Sequence, residues 1–235
     1  MRVKTIAAAC SLLLVVFVFS LFYAAAVTNE ITDEDRKYIG KILGDVRSSG
    51  PDSSYDEQIQ FIQHVQLSVI EASPIPEPIP FNSPRGPKEL YKTQKGLCFD
   101  RSRVIEMALR DRGFEVRHIF ILSTKDSNFL ISLATPDTYS HAISEVRTSR
   151  GWLAVGSNTP WQALAKDGTP HSITDLKNHV DGQAHIDWLN EPTPIYSEIA
   201  PWRIVYGLHS RHGKFYEPFL PVPDVQLGEF CDNFY

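Results

Sequence analysis

Apolar residues form one unbroken run near the amino terminus and occur at regular spacings after it. Residues 6–27 carry no charge over 22 positions, against the roughly 20 that a helix needs to span a bilayer. Arg2 and Lys4 precede this run, and the acidic stretch 28–35 follows it. The positive-inside rule therefore predicts a transmembrane anchor over residues 1–27, with the remainder of the chain outside the cytoplasm. A cleaved signal peptide is the alternative, and the protein would then be secreted.

Helical spacing of apolar positions predicts three helices in the exported part. The first two cover residues 32–47 and 55–72, with a turn-rich loop between them. The third begins after Gly96, which suits the N-cap, and ends near Gly113. Six prolines in residues 73–88 exclude a helix or an inner strand and predict an extended strap.

Runs of β-branched and aromatic residues predict the strands. Residues 115–122 are typical of a buried strand, and 140–148 with 152–158 predict an antiparallel hairpin around a Ser-Arg-Gly turn. Residues 202–224 predict one more hairpin, turning near 210–213. The elements together predict an α+β fold.

The same elements divide the chain into four parts. These are the anchor 1–27, a juxtamembrane helix and loop 28–54, a core 55–160, and a tryptophan- and proline-rich extension 161–235 packed on the core. A chain of 235 residues has room for one such core.

Composition excludes several functional classes. The net charge is −5 and no lysine or arginine cluster occurs, which argues against a nucleic-acid partner. Glycine-rich phosphate loops and zinc spacings are absent from the sequence. His209 and His212 have no third ligand at a recognisable spacing. The sequence therefore predicts no cofactor and no metal, and leaves the oligomeric state open.

Cys98 is the candidate nucleophile because it lies in the first turn of the third helix. The positive end of the helix dipole is expected to lower the pKa of a thiol there, and the thiolate is the reactive form. A buried structural cysteine and a disulfide with Cys231 remain alternatives.

Four motifs extend this reading through a family resemblance. Their order and spacing over residues 55–160 resemble the transglutaminase-like superfamily, in a bacterial-type membrane-anchored form. The motifs are Gly96–Phe99, Gly113–Arg117, Ser140–Val146 and Gly151–Val155. The resemblance implies a papain-like core in which a cysteine-bearing helix packs on an antiparallel sheet. It makes Cys98 the nucleophile and His141 the base.

The third member of the implied triad departs from the family pattern. Gly156 stands where the family has an aspartate. Asn158 faces the same side of the strand, displaced by about 6.6 Å along it. Asparagine fills this role in papain-like proteases, so Asn158 is the candidate orienter of His141. Asp137 and Asp175 are weaker candidates.

The sequence thus predicts an outward-facing, membrane-anchored protein that uses Cys98 and His141 for acyl transfer or hydrolysis of an amide bond. Its substrate would be a protein or a peptide-like molecule. The backbone N–H of Cys98 and the side chain of Gln94 are the candidate oxyanion donors. The alternative, motivated by Gly156, is a scaffold or binding protein that keeps the fold without the chemistry.

Overall fold

The amino-terminal segment is helical. The computed structural model describes residues 2–24, 26–46, 49–80, 83–211 and 223–234, and helix α1 covers Arg2–Ala24. In those ranges no helix combines the length and apolarity needed to cross a membrane. The predicted transmembrane helix is therefore not confirmed.

The next two helices begin at polar caps. In α2 (Asp33–Leu43) Thr32 and Asp35 form a capping box, and in α3 (Tyr55–Ala72) Ser54 and Glu57 form another. Helix α3 has the predicted bounds. Helix α2 ends earlier than predicted, because Gly44 adopts φ +64° and its N–H bonds the Gly40 carbonyl.

The proline-rich segment is mostly extended, with an isolated bridge between Ile75 and Lys95. Its last residues open an unpredicted helix, α4 (Pro87–Thr93). The prediction that helix is excluded over residues 73–88 is wrong at this end. Proline is tolerated as the first residue of a helix because its missing N–H would have no partner there.

Helix α5 covers Cys98–Arg110, and its N-cap is Leu97 rather than the predicted Gly96. Leu97 has an extended backbone, and its N–H donates to Asp100 Oδ2 over 3.0 Å. Cys98 is consequently the first residue of the helix.

Four antiparallel strands form the central sheet in the order β3-β2-β1-β4. They are β1 (Val116–Ser123), β2 (Ser140–Thr148), β3 (Gly151–Val155) and β4 (Trp202–Tyr206). Helix α6 (Phe129–Ala134) lies between β1 and β2 in the chain. The predicted α+β fold and the β2–β3 hairpin are confirmed, although β3 ends before Gly156.

The predicted pairing of residues 202–224 in one hairpin is wrong. Strand β4 pairs with β1, whereas β5 (Leu208–Ser210) pairs with β6 (Asp224–Val225) in a separate sheet. Gly207 separates β4 from β5 with φ +66°, and a Cβ there would lie 2.7 Å from two backbone atoms. Part of the predicted turn, residues 212 and 213, lies outside the described residues.

Short helices complete the carboxy-terminal part. They are α7 (Ile173–Val180), α8 (Ile195–Ile199), α9 (Leu227–Phe230) and a 3-10 helix (Cys231–Phe234). Helix α5 packs on the sheet face that carries Ser144, whose hydroxyl donates to the Ser102 carbonyl and to Glu106. The opposite face carries Glu145, which receives the N–H of Ile173 at the start of α7. The sheet therefore lies between the cysteine helix and α7, whereas α9 is on the side of α5, where Glu229 pairs with Arg110.

Candidate functional site

Cys98 is half-buried at the start of α5, and the backbone N–H of Ala142 lies within hydrogen-bonding reach of its thiol. Burial raises the pKa of the Cys98 thiol, and the Ala142 and Phe99 N–H groups offset only part of that rise. The prediction of a lowered pKa is wrong, because burial of the thiol outweighs the backbone N–H groups around it. Cys98 and Cys231 are both free, so the disulfide alternative is not formed.

His141 directly precedes Ala142 in β2 and is almost fully buried. Its ring makes an edge contact with Tyr196 of α8, with centroids 5.9 Å apart. Burial lowers the pKa of His141 to about 4, so the imidazole is neutral at pH 7. Burial also raises the pKa of the Tyr196 phenol, and a negative charge on Cys98 adds to that rise. Tyr196 is therefore adjacent to both predicted catalytic residues.

Asn158 is exposed and does not orient His141. Its Oδ1 accepts a hydrogen bond from Arg101 Nη1 over 2.9 Å. Among the described atoms, none forms a hydrogen bond with the buried Nδ1 of His141. The predicted Asn158–His141 pair is not formed among the described residues: β3 ends at Val155, the Ser157 hydroxyl donates to the Ala142 carbonyl, and Asn158 accepts from Arg101 instead.

Arg101, like Tyr196, is a site residue that was not predicted from the sequence. Its Nε and Nη2 donate to the hydroxyl and carbonyl of Ser73, and its Nη1 donates to Asn158. Burial lowers the pKa of the guanidinium, and a negative charge on Cys98 acts in the opposite direction. A cation in the first turn of a helix opposes the dipole, and that local conflict is the signal that could have identified it.

The space beside Gly156 is already filled. A Cβ on Gly156 would lie 3.1 Å from the carbonyl oxygens of Thr159 and Trp161. Gln66 Nε2 donates to these two carbonyls and to that of Gly156, over 3.1, 2.8 and 2.7 Å. The amide of Gln66 and a tight loop thus occupy the position where the family resemblance predicts a carboxylate.

Gln94 lies four residues before Cys98 with an exposed side chain and a left-handed backbone, φ 55°. Its carbonyl accepts from the N–H of Ile75, which ties the proline-rich segment to the loop before α5. In the described part of the chain, no hydrogen bond of the Gln94 amide to Cys98 is formed. Its role as an oxyanion donor stays a prediction.

A buried acid joins the proline-rich segment to the cysteine helix. Asp100 Oδ2 accepts from the backbone N–H groups of Ile79 and Leu97, over 3.2 and 3.0 Å. Arg85 Nη1 lies 3.5 Å from Asp100 Oδ1, and both side chains are fully buried. Burial raises the pKa of Asp100, and Arg85 opposes that rise. These bonds fix the segment against the first turn of α5.

One buried group of the described residues brings together three side chains that can bind metals, Glu106, His118 and His209, with ligand atoms within 4.8 Å. Glu106 Oε1 lies 2.7 Å from His118 Nδ1. The two imidazoles stack at 4.0 Å with planes 17° apart. Because ring lone pairs lie in the ring planes, stacked imidazoles do not converge on one ion. Burial and the cations of Arg103 and Arg110 further disfavour added positive charge, as the lowered pKa of His209 indicates.

The buried imidazole of His141 predicts a pH-dependent stability. Its pKa is about 4 in the folded state, against about 6.5 in an unfolded chain. As pH falls below 6.5 the unfolded state takes up the proton first, so the stabilisation present above pH 6.5 is lost towards pH 4. We expect His141 to contribute about 3 kcal/mol to this loss.

Urea unfolding of the protein and of His141→Gln between pH 4 and 7 measures the contribution of His141 to the pH dependence of stability. The free energy of unfolding of the variant should change less over this range. Parallel curves for the two proteins would contradict the assignment.

Comparison with known proteins places these residues in a family. Residues 46–157 match the family model of the transglutaminase-like superfamily. Among curated proteins, none matches the chain. The matched region contains the cysteine helix, the strand with His141 and the hairpin that follows, so residues 46–157 form a domain of the transglutaminase-like superfamily.

Proposed function

We propose that the protein performs Cys98-dependent acyl transfer or hydrolysis on an amide bond of a protein or peptide-like substrate. At the level of the family, a transglutaminase-like domain points to this chemistry. The observation that carries the proposal is the position of the thiol: Cys98 opens α5, and its Sγ lies at the backbone N–H that follows His141 in β2.

The reacting pair starts from neutral partners, because the pKa of Cys98 is raised and that of His141 is lowered. Cys98 Sγ attacks the carbonyl carbon while its proton passes to His141, and an anionic tetrahedral intermediate forms. When the C–N bond breaks, His141 returns the proton to the leaving amine. Water or a second amine then attacks the thioester and releases the thiol.

Arg101 takes a supporting role in this proposal. Its guanidinium interacts with a negative charge on Cys98 and is held by Ser73 and Asn158. A fixed cation stabilises anionic species in a poorly solvated site. In the described residues, His141 has no orienting partner, which is expected to make the reaction slower than in a complete triad.

We also propose that the protein is anchored in a membrane and faces away from the cytoplasm. The support is the uncharged run of residues 6–27 with Arg2 and Lys4 before it. In α1 the apolar side chains from Leu12 to Phe19 are exposed, as expected of a helix surface that is covered by lipid.

The pH dependence of acylation tests the pairing of Cys98 with His141. With p-nitrophenyl acetate as probe, Cys98 should gain one acetyl group as p-nitrophenolate leaves. The rate should be constant from about pH 5 to 8 and should fall as His141 becomes protonated near pH 4. Acetylation is read by peptide mass mapping in a Cys231→Ser background, because the exposed Cys231 thiol also reacts.

The variant His141→Gln is the matched comparison. Without a base, only the thiolate reacts, so its acetylation rate should rise about tenfold per pH unit up to the raised pKa of Cys98. The same plateau in both proteins would refute the role of His141 as base.

A second candidate function is a scaffold or binding protein that does not use the thiol. The filled space beside Gly156 favours it, because Gln66 and the loop carbonyls stand where a catalytic carboxylate would be needed. A chain in which Cys98 resists acetylation by p-nitrophenyl acetate up to pH 9, while remaining folded, would support this candidate.

A further inference from the structure

An apolar groove lies between α6, β4 and the carboxy-terminal segment, with a volume of about 610 Å³. This volume is within the range of small-ligand sites, roughly 300–1,000 Å³. Its apolar walls include Phe129, Leu133, Val205, Leu208, Val225 and Phe230. Arg211 fixes one wall, since its guanidinium donates to the carbonyls of Ser132, Thr135 and Thr138 around the end of α6.

The rim of the groove is apolar with one exposed cation. Leu130 and Phe234 line the rim and are each 73% exposed. Arg203 also lines it with an exposed side chain, and no described acid forms an ion pair with it. Exposed apolar surface next to a cation is typical of contacts with anionic amphiphiles.

The groove adjoins the end of α1. The backbone N–H of Val27 donates to the carbonyl of Val225 over 2.9 Å, and Ala26 bridges the same residue. Val225 is a wall of the groove. Only two residues separate Ala24, the last residue of α1, from Val27. If α1 anchors the chain, this wall lies where the anchor leaves the bilayer.

We infer that the groove binds an acyl chain of an anionic membrane phospholipid. The hydrocarbon contacts the apolar walls, and the phosphate lies near Arg203 at the rim. The inference rests on the membrane anchoring proposed above. It assigns the α6 face of the domain to the membrane surface, and Cys98 is not among the residues that line the groove.

Photocrosslinking of the full chain in bilayers of phosphatidylglycerol tests the inference. The lipid carries a diazirine at the end of one acyl chain, and crosslinks are located by peptide mass mapping. We expect crosslinks in α1, which report anchoring, and crosslinks at Leu133 or Phe230, which report occupation of the groove.

Two pairs of variants sharpen the readout. Leu133→Glu places a charge in the groove and should lower crosslinking there about tenfold. Leu189→Glu changes an exposed leucine outside the groove and should leave crosslinking in the groove unchanged. Arg203→Gln should lower crosslinking in the groove about fivefold, because it removes one cation near an anionic surface. Lys166→Gln is the matched exposed control.

The possible failures are distinct. Crosslinks in α1 without crosslinks in the groove would contradict lipid binding in the groove and would still support membrane anchoring by α1. The absence of crosslinks both in α1 and in the groove would contradict the proposed anchoring and the proposed lipid binding. Equal groove labelling in Leu133→Glu and Leu189→Glu would mean that the acyl chain lies elsewhere.

Discussion

Replacing Cys98 by serine should lower the rate of acetyl transfer from p-nitrophenyl acetate at that position by about a thousandfold or more. A serine hydroxyl is a much weaker nucleophile than a thiol, and a neutral His141 whose Nδ1 has no hydrogen-bond partner among the described residues does little to activate it. Serine is close to cysteine in shape and Cys98 is only half-buried. We therefore expect the free energy of unfolding to change by less than about 1 kcal/mol.

Cys231→Ser is the matched control for this experiment. Cys231 is exposed at the start of the 3-10 helix, so its loss should leave acetylation of Cys98 unchanged. A Cys98→Ser, Cys231→Ser protein that still released p-nitrophenolate at the rate of Cys231→Ser would exclude Cys98 as the nucleophile. The scaffold function would then be the better account of the domain.

Local patterns predicted helix α3 and the hairpin that carries His141. Helix α3 begins and ends where its apolar spacing indicates. The β2–β3 hairpin follows from two short apolar runs around a turn, and this placed His141 on the sheet. Such signals lie within a few residues of one another in the sequence. Each of these elements can therefore be predicted from its own segment.

Contacts between segments that are far apart in the sequence could not be predicted in this way. Strand β4 pairs with β1, where Trp202 lies opposite Ser123, and the sequence gives no register for that pairing. Arg101 meets Asn158 across 57 residues. Tyr196 reaches His141 from a five-residue helix. The pKa of Cys98 also depends on such contacts, because burial rather than position in the helix determines its direction.

Gly156→Asp should destabilise the protein instead of restoring a triad. The new Cβ would lie 3.1 Å from two carbonyl oxygens, and the carboxylate would displace the Gln66 amide that now bonds three carbonyls. Overpacking and the lost hydrogen bonds together should lower the free energy of unfolding by about 3 kcal/mol, and Tm by roughly 6–12 °C. Gly40→Ala in α2, where a Cβ meets no atom within 4 Å, should raise stability by about 1 kcal/mol. Thermal unfolding separates these outcomes. A Gly156→Asp protein that is as stable as the parent and acetylates Cys98 faster would show that the loop and Gln66 can yield to a carboxylate.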